Sequence, residues 1–356
     1  MNDEGWMLYG ATGYSGALIA EEAVRRGHRP VLAGRSEEKL RPLAARLDLP
    51  FRAFSLEDGA GIRRALEGVP LVLHAAGPFI HTAAPMREAC LEAGAHYLDI
   101  TGEIPVFRAS FKRDREARER DIVILSGVGF DVVPTDCLAR YVAERVGGTP
   151  RSLDIAFAAI GQASAGTMKS ALEGLPHGGW VRRGGHLVPW RIGRGATQIR
   201  FDDRTRTAVP IPWGDLETAF HSTGAPDITT YMSMPPSQAR VQMIAGPLLP
   251  FALKAKPLRA LAHRLIERNV KGPDEAARAR GRSHVWARAT DAQGRTAEAW
   301  LSTLEGYAFT AAASVRCVEK TLDPAFTPRG ALTPSRAFGA DFVLELPDTR
   351  RFDALS

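Results

Sequence analysis

The strongest constraint on this chain is a glycine loop placed between an apolar run and an amphipathic pattern. Met7-Leu8-Tyr9 is followed at once by Gly10, Ala11, Thr12, Gly13, Tyr14, Ser15 and Gly16. From Tyr14 onward Ala17, Ala20 and Val24 recur at helical spacing, and Gly27 closes the segment. Glycines at such a turn let the backbone bend sharply and approach a pyrophosphate. The helix start behind them then offers free N–H groups to the negative charge.

The alternation continues. Val31-Leu32-Ala33 reads as a strand, and Ser36 caps a helix carrying Leu40, Leu43, Ala44 and Leu47. Further strands are expected at 51–56, 71–76, 96–100 and 122–125, with helices at 58–67, 85–93 and 106–120 between them. Leu71 to Ala76 is nearly all apolar, as a parallel strand covered on both faces should be. Six strands alternating with helices predict an α/β fold, a Rossmann-type doubly wound parallel sheet. After Gly147-Gly148-Thr149-Pro150 the pattern changes to short strands joined by hairpin-like turns such as Asp291 to Gly294. This predicts an α+β domain on a mainly antiparallel sheet. The expected boundaries are 1–148 for the nucleotide-binding domain, 149–330 for a substrate and dimerisation domain, and 331–356 for a C-terminal helix.

The second strand ends in Gly34-Arg35-Ser36, where an NAD-specific site would carry an acid. Arg35 offers a planar fork to a 2′-phosphate. Lys39 sits in the first turn of the next helix, where a cation opposes the helix dipole by about 0.3–1 kcal/mol unless an anion binds nearby. With Ser36 they predict NADP(H) over NAD. At the end of the fourth strand Ala75, Ala76, Gly77 and Pro78 are small enough to let a cofactor pass close to the backbone.

Reduction also needs a group that handles a proton. The strand-end segments 97–103 and 127–134 offer Asp131, Glu103 and Tyr97, with at most one of Tyr97 and Asp99 expected to serve the pocket. His81 follows the Gly-Pro-Phe turn and offers a second proton donor, although the commoner role for such a histidine is surface or packing. In the second domain the polar loop Ser164 to Ser170 contains Lys169, a candidate to hold an anionic group. Absent patterns narrow the field: the chain has no Tyr-x-x-x-Lys pair, no His-Glu-x-x-His and no Gly-x-Ser-x-Gly.

Charge invites a different reading, because the net charge is +6. Yet only seven of the 46 basic residues are lysine, and the arginines alternate with acids, as in 112–121. Interspersed signs mark solvated helix faces, so nucleic acid is not an expected partner. Three cysteines without C-x-x-C spacing argue against disulfides and a zinc site. An acidic N-terminus and an uncharged stretch at 68–86 broken by three prolines lead to the expectation of a cytoplasmic chain. The basic, apolar stretch 238–270 reads as a packed helix, a lid or a membrane-surface contact.

Together the motifs resemble those of the saccharopine dehydrogenase-like oxidoreductases. They are Gly10-Ala-Thr-Gly13-Tyr-x-Gly16, Ala76-Gly77-Pro78-Phe79, Gly94-Ala-His-Tyr97-x-Asp99-x-Thr-Gly102-Glu103 and Gly129-Phe-Asp131-x-x-Pro134-x-Asp136. Gly166-Thr167-x-x-Ser170, Pro212-Trp213-Gly214-Asp215, His221-Ser222-Thr223-Gly224-x-Pro226 and Glu305-Gly306-Tyr307-x-x-Thr310 extend the likeness to about residue 320. Within the group it is most similar to the branch with the mycobacterial trans-acting enoyl reductases. Lys169 departs from the small residue usual there. The resemblance implies an NADPH-dependent reductase of an enoyl or imine bond, acting as a homodimer on a small-molecule or carrier-bound acyl substrate. Two other readings stay open. One is a saccharopine-type amino-acid dehydrogenase, which would need clustered arginines such as Arg182, Arg183 and Arg191. The other is a lipid-associated scaffold that only senses NADP.

Overall fold

A computed structural model describes residues 5–159, 163–246 and 256–355. The chain divides into two compact units, Met1–Asp131 with Tyr307–Ala337 and Val132–Gly306 with Phe338–Ser356.

In the first unit seven parallel strands form one sheet. They are β1 (Met7–Tyr9), β2 (Val31–Gly34), β3 (Phe51–Ala53), β4 (Leu71–His74), β5 (His96–Asp99), β6 (Val123–Ser126) and β15 (Gly330–Leu332), in the order β15-β6-β5-β4-β1-β2-β3. The chain runs outward from β1 to β3 and returns on the other side at β4. That reversal opens a crevice at the carboxyl ends of β1 and β4. All four residues of β4 are buried, and Met7, Val72, Met86, Cys90, Tyr97 and Ile124 share one core cluster. The expected doubly wound α/β sheet is therefore present, with β15 as a strand that local pattern did not reveal.

Local chemistry accounts for several helix ends. Ser36 Oγ accepts from Lys39 N (3.3 Å), and Asp58 Oδ1 accepts from Gly61 N (2.9 Å). Gly94 takes the left-handed conformation (φ 70°) that ends the helix Phe79–Ala93. That helix starts six residues before the expected 85–93, because its cap comes from a distant loop. The expected charged helix over 106–120 is two, Ile104–Phe111 and Asp114–Glu119.

The second unit holds a larger, mainly antiparallel sheet in the order β10-β11-β12-β7-β13-β14-β16. Its strands are β7 (Ser152–Ala159), β10 (Thr197–Arg200), β11 (Thr205–Pro210), β12 (Asp227–Ser233), β13 (Arg282–Thr290), β14 (Thr296–Leu304) and β16 (Arg350–Phe352). The hairpin of β8 (Gly179–Arg183) and β9 (His186–Trp190) pairs with β12, and β7 with β12 is the parallel pair. Helix Val133–Arg145 packs on β13 and β14, so the first unit ends at Asp131 rather than at 148. The return also differs from the expectation. Helix Gly306–Thr321 and β15 complete the first unit, whereas the tail after Phe338 joins the second through β16. Residues 334–346 hold a short helix, Pro334–Phe338, and a 3-10 segment, Ala340–Glu345, in place of one helix.

Candidate nucleotide and proton-transfer site

The glycine loop is a cradle with no room for a side chain at Gly10 or Gly16. A Cβ on Gly10 (φ +87°) would lie 2.7 Å from Ala76 N, and one on Gly16 would lie 2.2 Å from Gly10 O. Gly10 N donates to Ala33 O (2.8 Å) and Ala75 N to Tyr9 O (2.7 Å), which binds the loop to both neighbouring strands. Ala75 and Ala76 are thus brought against the turn of the cradle, with Gly77 and Pro78 next in the chain. Helix Tyr14–Arg25 has Gly13 at its N-cap, no side-chain cap among the described residues and no acid in its first turn. Its N-terminal N–H groups and dipole point at the loop, the arrangement that receives a phosphate.

Arg35 lies exposed at the end of β2, and its charge acts on the Tyr9 hydroxyl, which burial pushes up to about 12. Among the described residues neither Arg35 nor Lys39 spends its side chain on a hydrogen bond or ion pair. Arg35 follows β2, the strand next to β1, and Lys39 lies exposed in the first turn of helix Glu37–Leu47. Ser36 is committed to its helix cap through Oγ. These features fit a dinucleotide phosphate: a turn closed to side chains at Gly10 and Gly16, a helix start with no side-chain cap among the described residues, and two exposed cations.

The neighbouring strand ends carry acids. Asp99 is fully buried and ties β5 to β6: Oδ1 accepts from Thr101 N (3.0 Å) and Gly127 N (3.1 Å), and Oδ2 from Ser126 Oγ (2.9 Å). Burial raises its pKa against the pull of these donors. Glu103 follows. Its carboxylate accepts Phe79 N through Oε1 and Ile80 N through Oε2, both at 2.8 Å. It therefore caps helix Phe79–Ala93 from across the sheet edge. Thr101 Oγ1 steadies the same loop by accepting Glu103 N (3.0 Å).

Asp131 ends the loop after β6 and packs against Gly102, where a Cβ would meet its Oδ2 at 2.7 Å. Burial, and then the charge of Glu103, push Asp131 up to about 7. Loss of hydration disfavours the carboxylate, and a second negative charge nearby adds to the penalty. Thr310, on helix Gly306–Thr321, holds this loop: Oγ1 accepts Phe130 N (3.0 Å), and its methyl would meet a Cβ on Gly129 at 3.0 Å. Tyr307 of the same helix meets Tyr14 edge to face, with ring centroids 4.8 Å apart. Neither residue stands out by spacing alone; only the motif Glu305-Gly306-Tyr307-x-x-Thr310 signalled them.

Three expected catalytic residues have other places. Tyr97 is 0% exposed in the core of the first unit, and burial followed by the Asp99 charge drives its pKa well above the ordinary value. It sits within β5 rather than at its end, so packing holds it away from solvent. Lys169, in the second unit, pairs through Nζ with Glu267 (2.5 Å). Its loop is an ordinary helix start in which Ser164 Oγ accepts Thr167 N (3.3 Å). Glu103 is a helix cap that acts on Asp131 through its charge. His81 is exposed on helix Phe79–Ala93, in line with the surface reading.

Residues 6–124 match the family model described as the saccharopine dehydrogenase NADP binding domain. A trans-acting enoyl reductase of Mycobacterium ulcerans (strain Agy99) is 31% identical over 147 residues, 39% of this chain and 35% of that protein. The match thus spans about a third of that relative's length. A trans-acting enoyl reductase of Mycobacterium leprae (strain TN) is 26% identical over 399 aligned positions, covering 96% of this chain and 95% of that protein. Among solved structures, apo saccharopine dehydrogenase (L-Glu forming) from Saccharomyces cerevisiae shares the fold, with a TM-score of 0.64 and 12% identity over 98% of this chain and 100% of that one. The resemblance to saccharopine dehydrogenase-like oxidoreductases is borne out by these matches, and the NADP cofactor by the family match over residues 6–124; the yeast structure shows the fold alone. Among the described residues no helix is long and apolar enough to cross a membrane.

Proposed function

We propose that this chain is an NADPH-dependent oxidoreductase that reduces the carbon–carbon double bond of an acyl substrate, with Asp131 as the proton donor. The observation that carries the reading is the place and state of Asp131. It stands on the same strand-end edge as the glycine cradle, and its pKa is pushed to about 7. A donor poised near neutral pH holds a proton at rest and can release it when negative charge develops on the substrate.

When bound, NADPH supplies the hydride. Gly10, Gly13 and Gly16 would admit its pyrophosphate to the helix start, Arg35 and Lys39 would take its 2′-phosphate, and Ala75, Ala76, Gly77 and Pro78 would leave room for it. Asp131 then delivers a proton to the substrate carbon adjacent to the carbonyl and is left as a carboxylate. Burial, and then the charge of Glu103, make that carboxylate unfavourable, so Asp131 recovers a proton from water and the site is reset. Thr310 and Gly102 fix the position of the donor, and Glu103 acts as a positioning residue through it.

The acyl double bond is favoured by the relatives named as enoyl reductases. The amino-acid alternative would need arginines free to hold two carboxylates. Arg182, however, pairs with Glu217 (2.9 Å) and donates to Leu216 O, while Arg183 donates to Thr229 Oγ1 (2.8 Å).

The test starts with titration of the protein by NADPH and by NADH, read by tryptophan quenching. NADPH binding at least tenfold tighter than NADH is expected, about 1.4 kcal/mol. Enoyl thioesters are then screened for NADPH consumption. Binding of neither nucleotide would make the glycine loop a structural turn and end the reading.

A further inference from the structure

Helix Lys256–Asn269 sits with its apolar side outward. A helix on a soluble domain ordinarily turns its apolar stripe to the core and its charges to water. Here the polar residues face the protein. His263 Nε2 lies 2.7 Å from Glu173 Oε1, Arg259 Nη1 lies 3.9 Å from Glu173 Oε2, and Glu267 takes Lys169. Both partners belong to helix Ala165–Gly174. Residues 259, 263 and 267, four apart, mark this inner face. Leu258, Leu261 and Leu265 occupy the other face and are 46%, 53% and 52% exposed. Exposed Arg264 and Arg268 flank them on the helix surface.

The preceding helix, Pro236–Ala245, repeats the pattern. Ala239 is buried, whereas Val241 and Ile244 are 63% and 75% exposed. Close packing fixes its end: a Cβ on Gly193 would lie 2.5 Å from Met243 Cα. Residues 247–255 lie outside the described part. Charge decides what these leucines face. Residues 236–271 contain seven Lys and Arg against one acid, Glu267, so this segment alone carries a net charge as large as the whole chain, +6. A second copy of the chain is a poor occupant, because an isologous contact would set the same arginines against each other. Apolar side chains ringed by cations suit the boundary between acyl chains and anionic headgroups.

We propose that the outward face of helix Lys256–Asn269 is a peripheral contact for an anionic lipid surface, with Leu258, Leu261 and Leu265 entering the acyl boundary and Arg264 and Arg268 engaging headgroups. This helix belongs to the second unit and the nucleotide site to the first, and the inference stands whether or not the proposed reduction does.

The test is co-sedimentation of the full chain with phosphatidylcholine vesicles, with and without phosphatidylglycerol. Binding is expected only to the anionic vesicles and should weaken as salt rises. The triple change Leu258→Ser, Leu261→Ser, Leu265→Ser and the pair Arg264→Glu, Arg268→Glu should each cut partitioning by roughly tenfold or more. Circular dichroism and NADPH titration are expected to be unchanged in both, which separates lost contact from lost fold. As a second probe, an environment-sensitive dye on Leu261→Cys should shift to the blue only with anionic vesicles; the native Cys90, Cys137 and Cys317 are all buried. Failure of the natural chain to bind anionic vesicles would overturn the proposal. So would binding indifferent to the leucine changes, or a dimer that the leucine changes turn into monomers in sedimentation velocity.

Discussion

Burial, and then the charge of Glu103, push Asp131 up to about 7, while both Glu103 oxygens are occupied by the start of helix Phe79–Ala93. One carboxyl group thus accepts two backbone N–H groups, and its neighbour titrates within the neutral range. Reduction requires the acid form of Asp131, so kcat/KM should fall as pH rises through about 7. Glu103→Gln removes the charge, and the falling limb should then move to lower pH. Asp131→Asn should lower turnover about 10²–10⁴-fold with NADPH affinity intact. Because the folded pKa lies above the unfolded value, ionisation of Asp131 costs stability as pH rises from about 4 to 7. Asp131→Asn should therefore be more stable than the natural chain at alkaline pH, with the advantage fading in acid. A pH–rate limb that Glu103→Gln leaves in place would remove Glu103 from this coupling.

Arg35 is expected to set the cofactor preference. Arg35→Asp puts an acid at the end of β2, repels a 2′-phosphate and can accept from a ribose 2′-hydroxyl. NADPH affinity should drop by about one to two orders of magnitude, roughly 1.4–2.8 kcal/mol, with NADH affinity spared. Equal losses for both nucleotides in calorimetry would mean the change damaged the loop instead.

The glycine loop, β1 to β6, the Ser36 cap and the C-terminal glycines were legible because each depends on residues near one another in the chain. What escaped depends on distance. Helix Phe79–Ala93 begins before Pro85 because Glu103, 24 residues away, caps it. β15 joins the sheet beside β6 after some two hundred intervening residues. The candidate site shows the same division. Asp131 was visible as an acid at a strand end, yet its state rests on Glu103, Gly102 and Thr310. Tyr97 looked available because strand residues alternate, but burial on both faces of the sheet leaves no open side within β5. The outward leucines of 256–269 were visible as a stripe, and only the pairing of His263, Arg259 and Glu267 shows which side faces out.

Gly16 separates close backbone approach from helix propensity. In a helix, Gly→Ala ordinarily stabilises by about 0.5–1 kcal/mol. At Gly16 the added carbon would stand 2.2 Å from Gly10 O, so the loop must open. Gly16→Ala should lower thermal stability and weaken NADPH binding at least tenfold, about 1.4 kcal/mol. At Gly166, in helix Ala165–Gly174, the nearest atom to such a carbon is 3.7 Å away. Gly166→Ala should be neutral or stabilising, with unchanged nucleotide binding. If Gly16→Ala binds NADPH normally, the cradle is not where the pyrophosphate lies.

Acid sensitivity should come from two neutral histidines in the first unit. His96 Nδ1 accepts Val123 N (3.0 Å), and burial, with the charge of Arg329, lowers its pKa to about 4. His74 is fully buried, and that burial lowers it to about 3. In the unfolded chain both take a proton near pH 6.5. The unfolded state therefore binds more protons below that pH, and stability present above 6.5 is lost as pH falls toward 4. His96→Gln keeps an acceptor for Val123 N but cannot be protonated. Relative to the natural chain it should recover on the order of 1–2 kcal/mol at pH about 4.5, allowing for partial exposure of His96. Urea unfolding midpoints measured across this range provide the check. Parallel pH profiles for the two proteins would mean that His96 is not a source of acid lability, and would leave the loss to His74 and the carboxylates.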